Sequence, residues 1–223
     1  MTWPESSGAS SALQVEAFSR SGRRAAEQAP RYRDLPFSDG MQAFYNASMQ
    51  TLTFRDATLA DIDAVTALVT SAYRGDTSRV GWTTEADILD GNRIDRGVLE
   101  HDLTRPDSRV LLAECDGELL ACAHIAREDG AGYFGMFSVR PDLQGGGVGK
   151  RVMAEAERIA RDEMGLATMR MTVIDVRDAL IAFYERRGYV RTGKYKPFPY
   201  GDERFGTPLR DDLRFELLEK SLV

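Results

Sequence analysis

The sequence predicts an α/β chain of the mixed type, a central sheet flanked by helices. Two observations carry that reading. From residue 51 onward, strand-like runs and amphipathic helical runs interleave in the order β-α-α-β-β-β-α-β-α-β-β. Within that order Asp116-Gly117 joins two strands directly. This is a strong two-residue hairpin signal, and it excludes a purely parallel, doubly wound sheet.

The elements follow in turn. Residues 1–50 are rich in Ser, Ala, Arg and Pro, lack sustained periodicity, and carry five basic and five acidic residues. Such a stretch buries little apolar surface, so a flexible or partly helical N-terminal extension is expected over 1–50 and one domain over 51–223. Its acidic residues argue against a transit peptide, and no charged start leads into an apolar h-region. Met49 offers an alternative start just ahead of the first strand, expected at 51–56. Residues 57–61 form a helix entrance, after which Ile62, Val65, Leu68 and Val69 recur at helical spacing.

Residues 81–104 read as one or two short helices broken at Gly91 and Gly97. Strands are expected at Arg109–Cys115 and Glu118–Arg127, then at Gly132–Val139, which stops at Arg140-Pro141. A long amphipathic helix spans about 147–164, with Val148, Val152, Met153, Ala156, Ile159 and Ala160 on one stripe and Gly165 as its stop. Ala167–Ile174 reads as a strand and Asp178–Arg187 as a helix closed by Gly188. A short strand Tyr189–Gly193, a loop Lys194–Arg210 and a last strand Leu213–Glu219 complete the chain.

Composition narrows the function. The 223 residues are 43% hydrophobic and 29% charged, close to the average soluble globular protein and enough for one sizeable core. The net charge of −6, from 29 basic and 35 acidic residues, disfavours a general polyanion-binding role, so no nucleic acid partner is expected. Because residues 1–50 are neutral, the whole excess of acid falls on the core, which favours a cationic partner. Cys115 and Cys122 make no secreted disulfide framework and are expected as buried reduced thiols. No apolar run approaches the ~20 residues that cross a bilayer, so a cytoplasmic location without membrane contact is expected.

The most informative segment is Gln144-Gly145-Gly146-Gly147-Val148-Gly149-Lys150, between a strand and a helix. Consecutive glycines permit unusual backbone angles and remove Cβ atoms, so amide N–H groups can converge on an anion at the positive end of the helix dipole. A phosphate or pyrophosphate site is the physical reading. The nucleotide P-loop pattern fails at Gln144 and Arg151, and the dinucleotide pattern fails at Lys150 or at Val152, depending on where it starts.

Gln144-Gly145-Gly146-Gly147-Val148-Gly149 satisfies the acyl-CoA signature Gln/Arg-x-x-Gly-x-Gly/Ala, and Val139-x-Pro141 leads into it. With the second element Leu180-Ile181-Ala182-Phe183-Tyr184 through Gly188-Tyr189, and the element order, the chain resembles the GCN5-related N-acetyltransferase (GNAT) superfamily over about residues 51–193. The resemblance implies a GNAT-type acyl-CoA N-acyltransferase fold with acetyl-CoA as acyl-donor substrate and no metal. It implies that the backbone of Phe137, Ser138 and Val139 pairs with pantetheine amides. It also implies that Gln144, Gly145, Gly146, Gly147, Val148, Gly149 and Lys150 hold the pyrophosphate, with Arg140, Lys150 and Arg151 as candidates for the outer phosphates.

The implied activity is transfer of an acetyl group to a primary amine, small molecule or peptide, by direct attack on the thioester. Tyr184 stands at the family position that protonates the departing thiolate, and a tyrosine is protonated at neutral pH. The alternative is a non-catalytic acyl-CoA sensor. The strand Gly132–Val139 lacks the carboxylate that several relatives use as a base. A water relay to Glu85, Asp90, Glu100, Asp175 or Glu203, or else His101 or His124, remains open. Where relatives carry an Asn seven residues before the Tyr, this chain has Arg177, which could address a phosphate. Trp82, Glu85, Tyr200 and Glu203 are candidates for acceptor binding, since aromatic faces with carboxylates suit a cationic amine. No His/Cys/Asp cluster has metal-ligand spacing. A homodimer is left open.

Overall fold

Alternating burial organises the middle of the chain. Val110 and Leu112 are buried on one face of a strand, Leu111 and Ala113 on the other, as the two-residue period of a strand covered on both faces demands. The structure, a computed structural model, describes residues 52–202, 204 and 206–223. The expected extension over 1–50, the start at Met49 and the acceptor candidate Glu203 lie outside the described residues.

The sheet is built from β1 (Thr53–Asp56), β2 (Ser108–Cys115), β3 (Glu118–Glu128), β4 (Ala131–Val139), β5 (Thr168–Ile174), β6 (Val190–Pro197) and β7 (Arg214–Ser221). Their spatial order is β1-β2-β3-β4-β5-β7-β6, and β4–β5 is the parallel pair among antiparallel neighbours. One face is covered by α1 (Ile62–Tyr73) and α2 (Arg96–Thr104), whose Ile62, Val65, Leu68, Val69 and Leu99 pack on Val110, Leu112 and Cys122. The other face is covered by α3 (Val148–Arg158) and α4 (Asp178–Glu185). Val148, Val152, Met153 and Ala156 of the expected stripe are all buried there, with Leu180, Ile181 and Tyr184 beside them. Each such side chain taken from water contributes about 1.5–3 kcal/mol, which orients the helices.

Three expectations change. Residues 81–104 hold one regular helix, α2, and Gly97 lies inside its first turn rather than breaking it. The Asp95 carboxylate caps that helix by accepting from Val98 N at 3.0 Å, so the helix starts through a cap and tolerates the glycine. Leu89–Asp90, ahead of it, instead pairs as a two-residue strand with Thr207–Pro208. The strand expected to end at Gly193 runs on as β6 to Pro197, through residues assigned to a loop. Tyr195, Lys196 and Pro197 pair with Glu216, Phe215 and Arg214 of β7 at the sheet edge, where proline is tolerated. The helix expected to 164 is α-helical to Arg158 and finishes as a π turn over Ile159–Glu163. Both cysteines are reduced and buried.

Candidate active site

The parallel strands β4 and β5 pair only at Gly132↔Met169 and Tyr133↔Arg170, and then part. A bulge in β4 accompanies the parting. Cys122 pairs with Ser138 and His124 with Gly135, so Met136 and Phe137 together face one residue of β3. Met136 adopts φ 48°, uncommon for a residue with a side chain. Its carbonyl accepts from the Cys122 thiol at 3.7 Å and from the Ser138 hydroxyl at 3.2 Å, which holds the bulge. Beyond Tyr133, β4 has no ladder partner on its β5 side; Phe137 lines the resulting cleft, while Ser138 and Val139 are buried and the carbonyls of Phe137 and Val139 accept from Tyr73 and Gln144.

At the end of that edge the chain passes through Pro141–Leu143 into the glycine turn. Gly145 and Gly147 take φ 83° and 91°, a region that glycine enters without strain, and Gly147 caps α3 without a side chain. The first amides of α3, including those of Val148, Gly149 and Lys150, precede any intrahelical acceptor and carry the positive end of its dipole. A Cβ on Gly149 would stand 3.0 Å from Phe137 Cζ, so the missing side chain lets α3 approach β4. This open edge, running into a turn of backbone donors, fits an acyl-CoA: an amide-bearing arm followed by a pyrophosphate.

The side chain of Gln144 has its own partners. It is buried, and Oε1 accepts from Trp82 N at 2.9 Å and Thr83 N at 3.3 Å. Nε2 donates to Thr83 Oγ1 at 2.8 Å and to Val139 O at 3.1 Å. The amide is a strut between the 81–83 loop and the end of β4. Arg140 pairs with Glu118 and Asp142, and Arg151 donates to Leu52 O.

The parting of β4 and β5 opens a cleft of about 680 Å³. Tyr184 lines it, 5% exposed, with Phe183 and Tyr189 packed edge-on against its ring. Burial raises its pKa far above the ordinary tyrosine value, so the phenol is protonated at neutral pH and can act as a donor. Tyr73 of α1 reaches the same cleft, and its hydroxyl donates to the carbonyl of Phe137 at the bulge.

Glu85 takes an unexpected role. It is 4% exposed, and three arginines surround it. Arg74 Nη1 lies 2.6 Å from Oε2, Arg177 Nη1 2.8 Å from Oε1, and Arg93 Nε 3.5 Å from Oε2. Burial by itself raises the carboxyl pKa, but the fields of Arg93, Arg177 and Arg74 outweigh it and hold the group below the usual carboxylate range. Glu85 is therefore a fixed anion inside a cationic cage. Arg177, the departure from the family pattern, ties down the 83–85 segment, donating also to Thr83 O.

The remaining sequence candidates scatter. Trp82 packs on Phe183 at 5.2 Å, and the Tyr200 hydroxyl accepts from Leu213 N at 2.7 Å; neither lines the cleft. Asp90 accepts from Gly91 N, Asp175 pairs with Arg214, and Glu100 with Arg96. His124 does line the cleft. Burial lowers its pKa to about 4 against the pull of Asp102, so its ring is neutral at pH 7. Ser108 Oγ lies 2.8 Å from Nε2 and Asp102 Oδ2 3.5 Å from Nδ1, a set that ties α2 to the sheet. Among the described residues, no group of three His, Cys, Asp or Glu could hold a metal ion, and no helix is long and apolar enough to cross a membrane. Sequence reasoning missed Tyr73, Arg74 and Arg93, which carry no motif.

Known proteins are similar to this chain in sequence or in fold. An IAA acetyltransferase of Azospirillum brasilense is 31% identical over 98 residues, 43% of this chain and 63% of that protein, less than two thirds of the relative's length. Among solved structures, the ribosomal-protein-alanine N-acetyltransferase of Brucella melitensis superposes with a TM-score of 0.57 at 22% identity, over 76% of this chain and 99% of that one. The ribosomal-protein-S18-alanine N-acetyltransferase of Escherichia coli does so with a TM-score of 0.57 at 14% identity, over 77% and 94%. These structures share the fold. The model of the acetyltransferase (GNAT) family matches residues 66–189, more than half of the chain and the stretch from within α1 through the parted strands to the end of α4, and the chain belongs to that family.

Proposed function

We propose that the protein is an acetyl-CoA-dependent N-acetyltransferase that acetylates a primary amine by direct attack on the thioester. The observation that carries this reading is the parting of β4 from β5 after Tyr133, with Tyr184 lining the cleft it opens. Acetyl-CoA supplies the activated acyl group. The neutral amine forms the new C–N bond as the C–S bond breaks, and free CoA thiol leaves with one proton.

The chain's own residues bind, orient and move that proton. Backbone groups of Phe137, Ser138 and Val139 align the amide-bearing arm as an added strand, and the amides of 145–150 take the pyrophosphate. The phenol of Tyr184 donates its proton to the departing sulfur and regains one from the amine through solvent. Three carboxylates suggested by sequence as the base, Glu85, Asp90 and Asp175, are engaged with other groups. That favours water as the first acceptor of the amine's proton. A soluble, monomeric or dimeric, cytoplasmic enzyme is the working context.

The test is release of CoA thiol from acetyl-CoA with a panel of primary amines. We expect turnover by the wild type and a fall of about 10²-fold or more in kcat for Tyr184→Phe, the usual scale of a positioned general acid, with CoA affinity retained. CoA binding without turnover of any amine in the panel would instead mark a sensor.

A further inference from the structure

We infer that the amine acceptor carries a carboxylate, and that the arginine cage around Glu85 recognises it. This rests on the acetyltransferase reading above and replaces the cationic acceptor suggested by the overall charge. Three guanidinium groups, Arg74, Arg93 and Arg177, surround one carboxylate, and all four residues line the cleft. The cage therefore keeps a surplus of positive charge at a wall where charge is expensive to bury.

The hydrogen-bond inventory of the cage is incomplete. Arg74 has a side-chain exposure of 5%, and its Nη1 is used by Glu85, while Nε and Nη2 are buried without any hydrogen-bond partner. Those two N–H groups form one edge of the guanidinium plane, the parallel fork that matches the two oxygens of a carboxylate. Leaving them unmade costs free energy, so a group that completes them gains strongly on binding. Arg93 Nε is likewise buried without a hydrogen bond, sitting 3.5 Å from Glu85 Oε2 with its guanidinium 4.7 Å over the Tyr73 ring. A Cβ on Gly206 would stand 2.6 Å from Asp90 O, 3.0 Å from Asn92 O and 3.1 Å from Arg74 Nη2, so a side chain there would crowd the fork as well as two backbone carbonyls.

Three other acids of the cleft are committed elsewhere, and Asp129 lies at its Glu128 end. Asp95 caps α2, Asp102 faces His124 and Arg105, and Glu128 pairs with Arg105. The position suits an acceptor. Tyr73, on which Arg93 and Arg177 stack at 4.7 and 5.8 Å, also bonds the Phe137 carbonyl at the bulge. An acceptor with its carboxylate on Arg74 and Arg93 thus lies beside the edge where the thioester would sit. An amino acid or a short chain with a free carboxylate near its amine fits this class.

The experiment titrates the full chain, free and loaded with CoA, with N-acetylglycine, N-acetylalanine, N-acetylleucine, N-acetylphenylalanine and N-acetylglutamate, each against its carboxamide, by calorimetry. We expect at least one carboxylate to bind tenfold or more tightly than its amide. Arg93→Gln and Arg74→Gln should each remove that preference by weakening the carboxylate tenfold and the amide less than twofold. Arg74→Lys should restore little of it, because an ammonium lacks the fork. Circular dichroism identifies any variant that does not fold, and Arg93, whose side chain is 29% exposed against 5% for Arg74, provides the safer substitution. Equal binding of acids and amides across the whole series overturns the carboxylate site, whether or not CoA binds. So does equal weakening of both by the variants. Failure of CoA to bind, read in the same cell, defeats the acyl-CoA reading separately.

Discussion

Gly81→Ala is a small substitution with a large expected effect. Gly81 has no left-handed backbone to protect, so alanine is conformationally acceptable. Its Cβ would nevertheless stand 2.6 Å from Gln144 Oε1, 2.8 Å from Cδ and 2.9 Å from Nε2. The Gln144 amide must then leave its place, abandoning bonds to Trp82 N, Thr83 N, Thr83 Oγ1 and Val139 O. At about 1 kcal/mol net for each bond, less about 0.5–1 kcal/mol gained by stiffening the unfolded chain, the loss is roughly 3 kcal/mol. For a folded region of this size that lowers Tm by about 6–12 °C. Gln144→Ala removes the same bonds by another route. Urea unfolding of both single variants and the double variant completes the cycle. Because Gly81→Ala acts through the Gln144 side chain, we expect the double variant to match Gln144→Ala, a coupling of about 2–3 kcal/mol. Additivity within about 0.5 kcal/mol would show that Gln144 is not the strut.

Other perturbations probe other parts of the site. His124 is neutral in the fold with its pKa lowered to about 4, whereas the unfolded chain protonates near ~6.5. Its contribution is therefore intact above pH ~6.5 and lost as pH falls through about 4, amounting to roughly 3 kcal/mol. Comparing urea midpoints of the wild type and His124→Gln from pH 8 to 4 isolates it, and parallel curves would refute it. Gly149→Val should force α3 off Phe137 and shrink the thermal shift given by CoA, whereas an unchanged shift would remove Gly149 from the site. Burial pushes the Cys122 thiol up to about 12 and Cys115 is buried as well, so a thiol reagent should label the native protein slowly and the urea-unfolded protein at both positions.

Much of the fold was legible because local chemistry and long-range packing agree. Asp116-Gly117 marks a real hairpin, and the stripe from Val148 to Ala156 faces the core as its spacing predicts. Gly188 closes α4 with φ 88°, the left-handed stop expected of it. What misled was context. Residues 194–196 are exposed along the sheet edge, so no alternation announces the strand that their pairing with β7 creates. Gly97 sits in a helix because Asp95 caps it.

The glycine turn of the candidate site was legible because it is one contiguous motif. The arginine cage was not, since Tyr73, Arg74, Glu85, Arg93 and Arg177 come from separate elements and meet only in the folded chain. Counting carboxylates in the loop around Glu85 suggested a cation-binding mouth. The fold surrounds that carboxylate with three arginines, which is the basis for proposing an anionic group there instead.

The most direct measurement is a crystal structure of the full chain with CoA. We predict the pantetheine arm between β4 and β5, its amides on the backbone of Phe137–Val139. The pyrophosphate should lie over the amides of 145–150 and the sulfur beside the Tyr184 hydroxyl. CoA bound elsewhere, or β4 and β5 closed into a continuous ladder beyond Tyr133, would contradict it.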